Sequence, residues 1–104
     1  MLVLGVRARE RVYVGPACVV QLDWWSPAEA TLRVWEGGRE AVHTLPLHGA
    51  VELAGGRVMF ARHHPGDNNV KLAFDLPRSL AIKRHGMLLP ARRKAICAAA
   101  GVAA

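Results

Sequence analysis

Along most of this chain apolar and polar residues alternate in short runs, the period-two signature of half-buried β-strands. Residues 1–6 form an aliphatic run, and in 11–14 Val12 and Val14 share a face. A longer apolar run covers 17–25. Residues 30–35 alternate again, with Leu32 and Val34 on one side, and 26–29 between these runs reads as a hairpin loop. Gly37-Gly38 and Gly55-Gly56 punctuate two weaker segments, 41–47 and 50–53. Residues 57–63 and 70–74 then bracket His64-Pro-Gly-Asp-Asn68, a hairpin signal. A last strand is predicted over 79–84, with Leu80 and Ile82 inward and Ala81 and Lys83 outward. Beyond Gly86 the period changes: 91–100 is helix-prone, and the small residues from Gly101 onward are expected to fray. Many short strands joined by turns predict an all-β barrel or sandwich with a short C-terminal helix.

The pattern also repeats. "VYVGPACVVQL" at 12–22 compares with "VELAGGRVMFA" at 51–61, and "ATLRVW" at 30–35 with "NVKLAF" at 69–74. In that comparison Arg33 and Lys71 take one place, and "REAVHT" at 39–44 matches "RSLAIKR" at 78–84. Two copies of a five-strand unit in tandem, split near residues 44–48, account for this. A unit of that size alone would leave open edges and a thin core. Strand pairing between two units would close those edges.

Charge sharpens the picture. The chain of 104 residues has a net charge of +6. Residues 1–48 balance five cations against five carboxylates, so the whole excess lies in the second half. That asymmetry points to a polyanionic partner, most often nucleic acid. Two cysteines, Cys18 and Cys97, read as reduced thiols of a cytoplasmic protein. No apolar run is long enough for a membrane-spanning helix, and the first seven residues have the wrong charge order for a signal peptide. Four of the five histidines, His43, His48, His63 and His64, lie in pairs without zinc-ligand spacing, and no nucleophile–base or paired-carboxylate set occurs. Neither metal, cofactor nor catalysis is predicted. The tryptophans Trp24, Trp25 and Trp35 read as core or edge-capping residues rather than base-stacking platforms, and Arg92-Arg93-Lys94 as a solvated helix face.

The opening "MLVLGVRARERVYVG" and the stretch "DNNVKLAFDLPRSLAIKR" at 67–84 resemble the carbon storage regulator family of small bacterial RNA-binding proteins. Met1, Leu2, Leu4, Arg7, Glu10 and Gly15 fall in matching places, as do Asn68, Val70, Pro77, Ala81 and Arg84. The resemblance covers the first strands and residues 49–84, and the middle segment is unlike a usual member. Members are homodimers of interlocked chains, so this polypeptide looks like two subunits in one: a first unit at 1–47, a second at 48–86 and a helical or flexible tail at 87–104. The resemblance implies recognition of a GGA-bearing RNA stem-loop where the first strand of one unit runs beside the last strand of the other, controlling translation or transcript stability.

Carried over, one site would combine Leu4, Gly5, Val6 and Arg7 with Ala81, Ile82, Lys83 and Arg84. Val6 stands where the family has Arg, Arg9 replaces a turn glycine, and Lys83 replaces His. A second site would draw on residues 44–47 and 41–44, which overlap and lack a strand-end Arg, so one working site per chain is expected. A runner-up reading is a protein-interaction module on the same fold with RNA binding lost. The oligomeric state expected is a monomeric pseudo-dimer or a homodimer, with a regulatory protein as a further partner.

Overall fold

A computed structural model describes residues 1–103. Nine strands form: β1 (Leu2–Val6), β2 (Arg11–Val14), β3 (Cys18–Trp25), β4 (Glu29–Glu36), β5 (Arg39–Pro46), β6 (Ala50–Leu53), β7 (Gly56–Arg62), β8 (Val70–Asp75) and β9 (Ile82–Arg84). A single 3-10 turn at His85–Met87 leads to helix α1 (Pro90–Ala100). All strand pairs are antiparallel. They make a four-stranded sheet of order β1-β8-β7-β6 and a five-stranded sheet of order β5-β4-β3-β2-β9. Both orders are linear, so no closed barrel forms among the described residues, and one of the two sheets has four strands instead of five. The last strand is shorter than its pattern predicts because Leu80 N–H closes a turn onto the Pro77 carbonyl at 3.0 Å.

The sheets do not follow the order of the chain. β1 pairs with β8, Leu4 facing Leu72 and Val6 facing Val70. β9 pairs with β2, Arg84 facing Val12 and Ile82 facing Val14. Each end of the chain therefore completes the sheet built mainly by the other half. One core lies between the sheets: Val6, Val58, Phe60, Leu72 and Phe74 meet Val12, Val14, Val20, Leu22 and Leu32, all almost fully buried. Burying this much apolar side chain from both layers is the main force joining them.

The two sheets repeat one another in detail. A left-handed residue precedes the second strand of each half, Arg9 at φ 74° and His48 at φ 69°. Another follows it, Gly15 at φ 58° and Ala54 at φ 51°. Arg9 N–H donates to the Leu22 carbonyl at 2.6 Å, and His48 N–H to that of Phe60 at 2.8 Å. Leu22 N–H returns to Glu10 at 3.2 Å, and Phe60 N–H to Gly49 at 3.0 Å. The ladder slips between Leu22 and Trp24 in one half and between Phe60 and Arg62 in the other. Bulges and αL residues are set by local backbone demands, and the same ones recur at matching places in both halves.

This equivalence revises three points of the sequence comparison. Gly15-Pro16-Ala17 joins β2 to β3, whereas Ala54-Gly55 joins β6 to β7. The gapless match is thus one residue out beyond the turn, and a one-residue slip exchanges the faces of a strand. The true counterparts are Val20 with Val58 and Leu22 with Phe60, all buried. Lys71 occupies the place of Thr31, not of Arg33. Finally, β5 lies beside β4 as β1 lies beside β8, so β5 is the counterpart of β1 and not of β9.

The tail is docked. Ile96, Cys97 and Ala100 pack on Tyr13, Val19 and Trp35, on the outer face of the five-stranded sheet. Gly101, at φ 90°, closes the helix by donating to the Cys97 carbonyl at 2.9 Å, and Gly38 N–H donates to Ala100 O at 3.0 Å. A Cβ on Gly101 would stand 2.7 Å from the Gly38 Cα, so glycine is required for the approach as well as for the cap. Val102 packs against the same cluster instead of fraying. Cys18 belongs to the inter-sheet core and Cys97 to the helix cluster on the opposite face of that sheet, and both are free.

Candidate nucleic-acid interface

β1 and β9 are edge strands of different sheets, and a side-chain hydrogen bond links them. In β9, Ile82 and Arg84 share the inward face of Val14 and Val12. Ile82 packs against the core. Arg84, one turn of the pleat further, reaches across the gap between the sheets, and its Nη1 donates to the Gly5 carbonyl at 2.7 Å. Among the described residues no carboxylate lies within ion-pair distance of Arg84.

The Gly5 carbonyl points away from β8, at the free edge of β1. In an antiparallel ladder the N–H and C=O of one residue point the same way, so the Gly5 N–H faces that edge too. The outer face of Gly5 is covered by two polar side chains. Lys71 Nζ donates to Asn69 Oδ1 at 3.0 Å, and a Cβ on Gly5 would stand 2.9 Å from each of those atoms. Lys71 and Asn69 were not among the residues the sequence singled out for this site. Their signal was present: Lys71 alternates outward in 70–74, but its neighbour across the ladder, Gly5, is known only from the β1–β8 register.

The remaining residues divide. Arg7 is exposed, just beyond β1, and its backbone N–H donates to Glu10 Oε1 at 2.7 Å, holding the turn. Leu4 is half-buried. Val6, 1% exposed, is directed into the core, so only its backbone lies at the edge. The Ala81 carbonyl is taken by Gly15 N–H at 2.8 Å. Lys83 lies on the face of Tyr13 and lines a separate groove with Leu80, Leu88 and Arg92 under the helix. Lys83 and Arg84 therefore point to opposite sides of the sheet, and only Arg84 joins β1.

Other cations are engaged elsewhere. Arg33 bridges Asp23 and Glu40 at 2.9 and 3.1 Å, and these carboxylates hold its guanidinium above its ordinary pKa. Arg93 donates to the carbonyls of His85 and Leu88, so it fixes the entry to α1 rather than standing as a solvated charge. His85 Nδ1 is 2.9 Å from the Tyr13 hydroxyl. Burial, and then the charges of Arg93 and Arg11, lower its pKa.

The second predicted site is incomplete. β5 supplies the counterpart of β1, with Thr44 in the place of Gly5, but among the described residues no strand stands beside β6 in the place of β9. The described residues hold no cluster of three or more metal-ligating side chains, and no helix is long and apolar enough to cross a membrane. No family model, curated protein or solved structure matches this chain.

Proposed function

We propose that this chain is a single-polypeptide counterpart of the dimeric carbon storage regulators, two interlocked units that bind one GGA-bearing RNA loop at the β1–β9 edge pair and so regulate a transcript in the cytoplasm. The observation that carries the reading is the Arg84 guanidinium held at the Gly5 carbonyl, between two strand edges from opposite ends of the chain. The recurrence of turns, bulges and αL residues in the two halves supports the fused-dimer part of it.

An unpaired loop is read on its base edges, by groups that present fixed donors and acceptors. The free edge of β1 offers the Gly5 N–H in a rigid frame. Arg84 spends one of its five donors on Gly5, and the rest can meet guanine O6 and N7 or a phosphate. Lys71 and Arg7 flank this edge and supply phosphate contacts. The half-site at β5 lacks its partner strand, which limits the chain to one RNA.

Titration of the folded protein with a GGA stem-loop and a scrambled loop tests this. One specific RNA per chain is expected, and Arg84→Ala should weaken specific binding about 5- to 150-fold, the loss of one base-reading arginine. Arg92, exposed and with no side-chain hydrogen bond among the described residues, is the control for diffuse charge. No preference for GGA at low salt, or two equal sites, overturns the proposal. The burial of Val6, where the family carries Arg, favours the protein-interaction reading, and equal affinity for both loops would select it.

A further inference from the structure

The internal repeat makes the edge of β6 interpretable. In one half the crossover through Leu76 and Pro77 carries the chain into β9, which pairs with β2. In the other half the Gly37-Gly38 turn sends β4 straight back as β5, and the strand that would pair with β6 is missing. A cleft of about 870 Å³ opens at the β6–β7 turn end of that edge, lined by Glu36, Glu52, Leu53, Arg57, Asp75 and Leu76 among others.

The hydrogen bonds show what the cleft is shaped for. Gly15 N–H donates to a strand carbonyl, that of Ala81, at 2.8 Å. Its counterpart Ala54 N–H donates instead to the side chain of Glu36, also at 2.8 Å. A carboxylate thus sits where a strand carbonyl belongs. By the same equivalence the Glu52 backbone, like that of Tyr13 opposite Lys83, faces the open edge.

We propose that the β6 edge is a receptor for an extended peptide of another protein, which adds a strand antiparallel to β6 as β9 does to β2. The peptide carries an apolar and a basic residue two positions apart, on one face of the strand. A side chain opposite Leu53 takes the place of Ile82 and packs inward. One opposite Val51 takes the place of Arg84, where a basic residue reaches the edge of β5 at Thr44, the counterpart of Gly5. The cleft is lined by Glu36, Glu52 and Asp75 against Arg57, which faces Glu52 across the ladder and lies 3.8 Å from Asp75; the net negative field suits such a segment and disfavours the pairing of two β6 edges, which would set Glu52 beside its own copy. Main-chain bonding supplies affinity and alternate side chains supply specificity. The inference rests on the backbone repeat and on the cleft, and does not depend on RNA binding.

The probe is a capped synthetic peptide with this chain's own residues 79–84, titrated into the full-length protein. Backbone amide shifts and hydrogen exchange are followed residue by residue. Saturable one-to-one binding is expected, with exchange slowed at Glu52 and β2 unchanged. Glu52→Pro removes an edge N–H without touching the β6–β7 ladder and should weaken binding roughly fivefold or more, the loss of a main-chain hydrogen bond. A peptide N-methylated at the Lys83 position should lose affinity likewise, while N-methylation at the Ile82 position, whose N–H faces away, should not; this pair leaves the protein intact. Equal binding of both methylated peptides, protection at β2 instead of β6, absence of saturable binding, or Glu52 protection that grows with protein concentration alone (a second copy as the occupant) would each overturn the proposal.

Discussion

Replacing Arg84 by Met keeps most of the apolar stem and removes every donor. A hydrogen bond from a charged group contributes about 1.5–3 kcal/mol when buried. Arg84 is half-buried, so solvent screening brings the expected loss to about 1–2 kcal/mol. For a domain of this size each kcal/mol moves Tm by about 4–8 °C, so the midpoint should fall roughly 5–15 °C. The protein would still be folded at 25 °C, because domains of this kind hold about 5–15 kcal/mol. RNA affinity can then be measured on folded protein under the same conditions. The assay is paired: urea or thermal unfolding followed by circular dichroism, and RNA titration of the same sample. Arg92→Met, at an exposed position, should change stability by less than about 0.5 kcal/mol. Arg93 is unsuitable as that control because it holds the His85 and Leu88 carbonyls. A midpoint for Arg84→Met that matches the Arg92 variant would refute the claim that Arg84 ties the two edges together. Full RNA affinity in Arg84→Met would refute its part in recognition.

Three further outcomes follow from the packing. Val6→Arg should unfold the protein or cost several kcal/mol by chemical denaturation, since the residue is 1% exposed in the core; a stable variant would mean β1 has a different register. Ile96→Ala should cost about 2–5 kcal/mol and release the tail, seen as a fluorescence change at Trp35, whereas an unchanged midpoint would mean that α1 does not dock. Burial pushes the Cys18 thiol up to about 12, with the charge of Glu36 adding to it. The folded state therefore keeps a proton that the unfolded chain gives up near pH 9, so this contribution is complete below pH 9 and lost as pH rises toward 12. Cys18→Ser, with an ordinary hydroxyl, should show a shallower fall in stability over that window, and native protein at pH 8 should leave Cys18 unreacted with a thiol reagent.

Alternation and short apolar runs in residues 1–84 were enough to mark every strand segment, and the change of period after Gly86 marked the helix, because both follow from which face of a local backbone meets apolar surroundings. The net charge and its concentration in the second half were likewise in the sequence. Partnership was not. Nothing local tells Leu2–Val6 that it will pair with Val70–Asp75, or Ile82–Arg84 that it will pair with Arg11–Val14, since strand pairing is a contest among edges far apart in the chain. The same holds for site residues. Arg84 was visible as a strand-end cation, but its acceptor is a main-chain carbonyl seventy-nine positions earlier, and Lys71 joined the edge only through register. The repeat was legible as a likeness, yet its alignment slipped at a turn one residue shorter in the second half, where only the backbone hydrogen bonds fix the counterparts. The sequence by itself thus determined the elements and their apolar faces, which depend on neighbours a few residues away. The tertiary structure alone decided which edges were joined, which one was left open and which cation bridged two sheets, because those depend on chain closure and on the burial shared between halves.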